Sequence, residues 1–319
     1  LFQYSGIFQL STETLPVVSI SCGSAGRTAV LVGEQEHETW CSHEGKVIIS
    51  QRSKVSSSRP AFSIVWMVEI QCTSLPLPVC PSCSSWSAQG VLAVGDVAGD
   101  VHIVMGEAVI GVFKVHSQAV SGLQWISYSQ LISCGVDGNI TLSQLKSTTL
   151  ETIKTVRLSV CDLPRLIRKS SSSAKQVSVV AVSGCGKEVC VATETGGLWI
   201  ISTPDLHMKP VPSEPQAVRT LSYSAPFIAL SGDEESSAVL SDDGTLVESL
   251  PISADYICRV EEFLVLADET RIMIYDVSSR KILLDEKRNI RALSVTPQSD
   301  VVVLAEKDLI TLRLVRDAS

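Results

Sequence analysis

Helical periodicity is almost missing from this 319-residue chain. Only residues 162–169 (DLPRLIRK) come near it, and the proline inside that stretch points to a short turn or loop. Long apolar runs are missing too. The longest, residues 63–70 (SIVWMVEI), is strand-sized and far short of the roughly 18 residues needed to cross a bilayer, which argues against membrane insertion. No basic-then-apolar leader stands at the start. Aromatic residues are scarce at 5%, so the core must be built from Val, Leu, Ile and Ala, which suit pleated strands. Positive charge is outweighed, with 26 Lys and Arg against 34 Asp and Glu, a net charge of −8 and a pI near 5.2. That balance argues against a general phosphate-binding surface and makes direct nucleic-acid binding unexpected.

Several chemical signatures are absent as well. No Gly-x-Ser-x-Gly elbow or His-Glu-x-x-His pair occurs. Residues 184–187 (GCGK) lack the spacing, the following Ser or Thr and the strand-to-helix setting of a phosphate loop; they read as a hairpin turn. Cys80 and Cys83 form one Cys-x-x-Cys with Cys72 upstream, but a structural zinc site needs four ligands. No second pair exists, and no histidine is close to them in sequence. The five histidines (37, 43, 102, 116 and 207) suggest no catalytic triad. The expectation is therefore a non-enzyme, without catalytic, cofactor-binding or metal residues and without a small-molecule substrate.

What is there is a unit of short apolar runs punctuated by Gly, Asp, Ser and Pro, an all-β signature. Its clearest copy is residues 115–145 (VHSQAVSGLQWISYSQLISCGVDGNITLSQL): a strand, a second strand, an Asp-Gly turn and a third strand. Fainter copies stand on both sides at roughly the 40–45-residue period of a propeller blade. The units span about 16–71, 77–115, 116–158, 176–211, 216–250, 254–287 and 289–316. Six have four strands and the last has three. Residues 1–10 (LFQYSGIFQL) supply one strand before the first unit. Pairing it with the last three would close the ring and remove a free edge. The expectation is an all-β, seven-bladed β-propeller of four-stranded antiparallel blades filling residues 1–319 as a single domain, with six or eight blades as alternatives.

The third unit resembles the WD-repeat family. Val115-His116 stands where the family carries Gly-His, Asp137-Gly138 takes the turn between second and third strands, and Ser133 lies in the second strand. The resemblance implies a buried hydrogen-bond network of His116, Ser133 and Asp137 that locks the blade. Ser143-Gln144 replaces the family's Trp-Asp, so the network lacks a member, and other units keep only the turn. Residues 180–200 (VAVSGCGKEVCVATETGGLWI) are similar to a repeat of the RCC1-like propellers, although that family's Gly-rich continuation after the aromatic is missing.

The ten cysteines are spread along the chain, and several sit inside apolar strands. They read as buried hydrophobes of a reducing compartment, cytoplasm or nucleus, rather than a disulfide framework. The Asn139-Ile140-Thr141 sequon then carries no glycan. Trp40, Trp66, Trp86, Trp125 and Trp199 read as blade core. The acidic clusters Asp233-Glu234-Glu235 and Asp242-Asp243 read as solvated turns.

Two Arg/Lys/Ser-rich excursions interrupt the acidic chain, 52–59 (RSKVSSSR) and 165–175 (RLIRKSSSSAK). In the second, Arg165, Arg168 and Lys169 could meet an acidic partner, and Ser170 to Ser173 could accept phosphate; a solvated interblade loop is the alternative. The chain begins at Leu1 rather than Met, so it reads as a fragment of a longer polypeptide or a processed product. The functional expectation is a non-catalytic scaffold that binds protein subunits or peptides within a larger complex. An RCC1-type regulator of a small GTPase is the alternative, and an enzyme with its site at the propeller axis is the second.

Overall fold

The second strand of each unit is an unbroken apolar run, and this decides the architecture. TAVLV, VLAVG, LISCG, VCVA, FIALS, FLVLA and VVVLA are buried along almost their whole length. A strand that hides both faces must lie between two other layers, whereas a strand with one wet face alternates polar and apolar residues. The computed structural model of the chain describes residues 2–9, 16–34, 37, 41–54, 68–163, 177–213, 217–232, 235–306 and 308–314. Among them are 28 strands in seven four-stranded antiparallel sheets.

Blade 1 consists of β2 (Val17–Cys22), β3 (Arg27–Val32), β4 (Gly45–Lys54) and β5 (Val68–Leu77). Blade 2 has β6 (Pro81–Trp86), β7 (Val91–Asp96), β8 (Asp100–Met105) and β9 (Ala108–Lys114). Blade 3 has β10 (Val120–Trp125), β11 (Gln130–Gly135), β12 (Asn139–Lys146) and β13 (Thr149–Arg157). Blade 4 has β14 (Val179–Cys185), β15 (Glu188–Thr193), β16 (Leu198–Ser202) and β17 (His207–Val211). Blade 5 has β18 (Thr220–Ser224), β19 (Phe227–Ser231), β20 (Ser237–Ser241) and β21 (Leu246–Leu250). Blade 6 has β22 (Tyr256–Val260), β23 (Phe263–Ala267), β24 (Arg271–Asp276) and β25 (Lys281–Lys287).

Blade 7 contains β26 (Ala292–Val295), β27 (Val301–Ala305) and β28 (Asp308–Leu314), and its outermost strand is β1 (Phe2–Gln9). β1 runs antiparallel to β28, from Phe2 opposite Leu314 to Gln9 opposite Asp308. The first strands β2, β6, β10, β14, β18, β22 and β26 touch in that order, and β26 returns to β2. They line the axis, and the ring is closed as the sequence suggests.

Seven apolar clusters fill the seven junctions between neighbouring blades. Successive residues of one second strand serve alternate junctions, as the period of two requires. Ala29 and Leu31 pack towards Leu92 and Val94 of blade 2. Val30 and Val32 pack the other way, against Val302 and Leu304 of blade 7. Ile228 and Leu230 face blade 4, and Ala229 faces blade 6. Val265 and Ala267 meet Val301 and Val303, closing the junction of blades 6 and 7.

One strand runs further than its sequence suggests. β5 continues past Gln71 through Pro76 to Leu77, with Pro76 opposite Lys46. β5 is the outermost strand of its blade, where a missing N–H removes no ladder bond on the free side. Of residues 162–169 only Asp162 and Leu163 are described; Asp162 ends a single 3-10 turn, Val160–Asp162, boxed at its start by Ser159 and Asp162.

Deleting residues 1–10 leaves the β28 edge bare. Thermal unfolding should then fall by roughly 5–10 °C, since each kcal/mol moves the midpoint of a chain this large by about 2–4 °C. A peptide of residues 1–10 added in trans should restore part of the loss. An unchanged midpoint would mean that β1 does not hold the ring.

Candidate functional site

The turns between second and third strands, and the connections between blades, lie on one face of the ring. Towards this face lie the buried histidines and aspartates among the described residues, Asp96, His102, His116 and Asp137. In blade 3 the connection from β9 brings in His116, β11 presents Ser133, and the β11–β12 turn presents Asp137. The structure brings the three together. His116 Nδ1 is 3.1 Å from Asp137 Oδ1, and its Nε2 is 2.9 Å from Ser133 Oγ. Asp137 also accepts the backbone N–H groups of Ser117 at 2.9 Å and Asn139 at 3.0 Å. The Ser117 hydroxyl and the Asn139 amide complete its shell. Asn139, the sequon residue, thus uses its side-chain nitrogen inside this network.

All three residues are buried. Burial lowers the His116 pKa, and attraction to Asp137 only partly offsets it. Neutral imidazole then donates from Nδ1 to the carboxylate and accepts the Ser133 hydroxyl proton at Nε2. For Asp137 burial acts upwards, but the hydrogen bonds from Ser117, Asn139 and His116 outweigh it and hold the carboxyl below its ordinary range. Where the family has Trp, Ser143 is buried, and its Oγ has no hydrogen-bond partner.

Blade 2 carries a second lock that sequence inspection missed. His102 Nε2 lies 2.8 Å from Asp96 Oδ2, and both residues are fully buried. Asp96 Oδ1 also accepts the Asp100 N–H at 2.8 Å. The signal is present in the sequence as Gly95-Asp96 followed by Asp100-Val101-His102. It is shifted from the blade 3 pattern, because here the histidine sits on the third strand instead of the interblade connection. Blade 4 does the same job with one hydroxyl: Thr193 Oγ1 accepts the Gly197 N–H at 3.0 Å.

The tryptophans act between blades. Trp86 Nε1–H donates to the Ser21 carbonyl, and Trp125 Nε1–H to the Ser85 carbonyl, each tying an inner strand to the preceding one. Trp199 is buried in the junction of blades 3 and 4. Trp40 and Trp66 lie outside the described residues.

Cys80 has different neighbours from those its sequence suggests. Its companions are His37, Cys41 and His43 from the β3–β4 loop, and one ligand atom from each of the four lies within 4.8 Å of the others. Cys83 points elsewhere, with its thiol 3.6 Å from the Val120 carbonyl. Cys72 is exposed on β5. Proximity in sequence was the wrong guide here, because three of the donors sit in the preceding blade.

Two open clefts lie between blades. One, of about 510 Å³, is bordered by Lys187, Glu188, Thr203, Tyr223 and Ser224. The other, of about 560 Å³, is bordered by Arg219, Asp255, Asp268, Glu269 and Thr270. Arg165, Arg168 and Lys169, with Ser170 to Ser173, lie outside the described residues, as do 55–59 of the other basic excursion. Asp233 and Glu234 are outside as well, whereas Asp242 and Asp243 sit in the β20–β21 turn.

The blade 3 lock sets a pH dependence. The folded pKa values of His116 and Asp137 both lie below their unfolded ones, so the unfolded chain binds each proton more readily. Stability should therefore fall on acidification, first as pH drops below about 6.5 and again below about 3.9. In urea titrations His116→Gln should flatten the first limb. Asp137→Ala should cost about 3 kcal/mol, since it strands several buried donors. A wild-type stability that is flat across the histidine range would contradict this assignment.

No family model matches the chain, and no curated protein matches its sequence. Solved structures do match its shape. A structure of U3-55K aligns with 97% of this chain and 98% of its own length at a TM-score of 0.71 and 12% identity. A chain of the mitotic checkpoint complex aligns with 99% of this chain and 94% of its own at a TM-score of 0.70, also at 12% identity. Both are WD40 propeller proteins. With seven closed four-stranded blades, the chain has the seven-bladed β-propeller fold that it shares with these two structures.

Proposed function

We propose that the chain is a non-catalytic interaction scaffold, a single propeller domain over residues 1–319 that serves as a subunit or domain of a larger protein complex. The observation that carries this reading is the outward rim. The outermost strand of each blade is paired on one edge only. Several of these strands also expose aliphatic side chains: Val112 on β9 (54% exposed), Ile153 on β13, Leu246 on β21 (59%), and Ile282 and Leu283 on β25. Free ladder edges flanked by exposed aliphatics are what a docking partner can add to. The buried histidines of blades 2 and 3, by contrast, are held by groups of their own blade. A rigid ring with such a rim displays surfaces without moving.

The basic excursion belongs to this proposal. Leu163 and Val177, the described residues on either side of 164–176, are both fully buried in the ring. Arg165, Arg168 and Lys169 would meet an acidic partner there. A cytoplasmic or nuclear setting fits the nine cysteines whose side chains are described, all of which are free. The similar structures include a chain from a multiprotein complex. No specific observation favours the RCC1-type regulator or an enzyme at the axis.

Affinity capture from native extract with mass spectrometry tests the reading. Wild-type protein should recover a reproducible set of protein subunits. Changing Arg165, Arg168 and Lys169 together to Glu should deplete at least one of them more than about tenfold, a loss equivalent to about 1.4 kcal/mol. Recovery of a lone GTPase, or no partner beside turnover of a small molecule, would overturn the scaffold assignment.

A further inference from the structure

Three or four residues separate the second and third strands of blades 2, 3, 4 and 6, but in blade 1 the interval is residues 33 to 44. Long turns without secondary structure need some other source of order. This loop carries His37-x-x-x-Cys41-x-His43, three metal-binding side chains within seven positions. Cys80, immediately before β6, faces them from blade 2, and its side chain is fully buried.

Four observations bear on what the cluster is for. The ligand atoms lie within 4.8 Å of one another. A tetrahedral zinc ion with Zn–S near 2.3 Å and Zn–N near 2.0–2.1 Å sets its ligands about 3.4–3.8 Å apart. Small inward rotations would therefore close the site. His37 Nε2 is buried without a hydrogen-bond partner, an arrangement that proteins avoid unless something else satisfies the nitrogen. Around Cys80, the Glu34 N–H donates to Sγ at 3.3 Å, the kind of outer contact that stabilises a metal-bound thiolate. Gly33 opens the interval and Gly45 begins the strand after it; a Cβ on Gly33 would press on Cys80 Sγ while one on Gly45 would strike Pro81. The chain is thus shaped to bring the loop down onto Cys80.

The donor set identifies the metal. Two thiols and two imidazoles suit Zn²⁺ rather than oxygen-seeking Mg²⁺ or Ca²⁺. Four protein ligands leave no open position for substrate, as in structural zinc sites. We propose that His37, Cys41, His43 and Cys80 form a structural Zn²⁺ site that pins the β3–β4 loop of blade 1 to the start of blade 2. Binding releases the protons of both thiols, each sulfur giving an electron pair to the metal. The two thiols point at the same acceptor, the His43 carbonyl, from 3.6 Å and 3.8 Å. The bland alternative is a pair of ordinary free thiols beside two surface histidines, and the metal content separates the two.

The test is made on the whole chain, purified with Zn²⁺ present and then dialysed against a weak chelator. Elemental analysis should find zinc equimolar with protein, and Co²⁺ exchanged into the site should give the absorption of a tetrahedral cobalt–thiolate centre. His43→Ala, at an exposed position, and Cys41→Ser should each reduce retained metal more than about tenfold. Cys83→Ser and Cys72→Ser should leave it unchanged, with circular dichroism confirming that every variant is folded. Zinc no higher in wild type than in Cys41→Ser would overturn the proposal. Equal loss in Cys83→Ser, or a Cys41–Cys80 disulfide in the protein isolated without reductant, would do the same.

Discussion

Everything in this molecule depends on the fact that a blade cannot bury its own faces. Each four-stranded sheet has two apolar sides, and each side finds cover only on the neighbouring blade. A linear stack would leave two terminal faces and two terminal edges in water. Bending the stack into a ring removes the faces, and joining β1 to β28 ties the two ends of the chain into one sheet. The hydrophobic term is proportional to apolar area removed from water, so closure is favoured whenever seven blades fit around the axis. Aromatic scarcity is compatible with this because the junctions are thin. Ala29, Ala93, Ala192, Ala229 and Ala267 recur in the second strands, all of them buried.

Polar groups add specificity to that apolar ring. The apolar strands alone would tolerate some slippage between second and third strands, because both faces are buried whichever way they point. Asp137 with His116, Asp96 with His102, and Thr193 with Gly197 each fix a turn and its register. The three solutions differ chemically but hold the same place in their blades. That is how a fold can keep its geometry when its motif letters have been lost. The proposed zinc clasp would be a fourth solution, placed in the blade whose turn has grown too long for a side-chain cap.

Fold class was readable because apolar runs and turn residues are local signals. Val301-Val302-Val303-Leu304 or Phe263-Leu264-Val265-Leu266 read as buried strands without any partner in view. The surplus strand at residues 1–10 was readable by counting. His116, Ser133 and Asp137 could be named because the family resemblance supplied a spacing. What stayed hidden depends on contacts between units. His102 looked like one more strand residue until the fold placed Asp96 beside it. Cys80 invited a search for partners at positions 72 and 83, but its neighbours arrive from the preceding blade, at residues 37, 41 and 43. Their convergence is set by the angle between two blades, which no local pattern encodes.

The claim that the blades stand or fall together is open to direct measurement by hydrogen exchange read peptide by peptide. If the ring is held by interblade burial, β3, β7, β11, β15, β19, β23 and β27 should form one slow class that exchanges in concert by global opening. The outermost strands should exchange earlier, by local opening. A graded order in which successive blades lose protection one after another, as in a linear repeat array, would contradict the account.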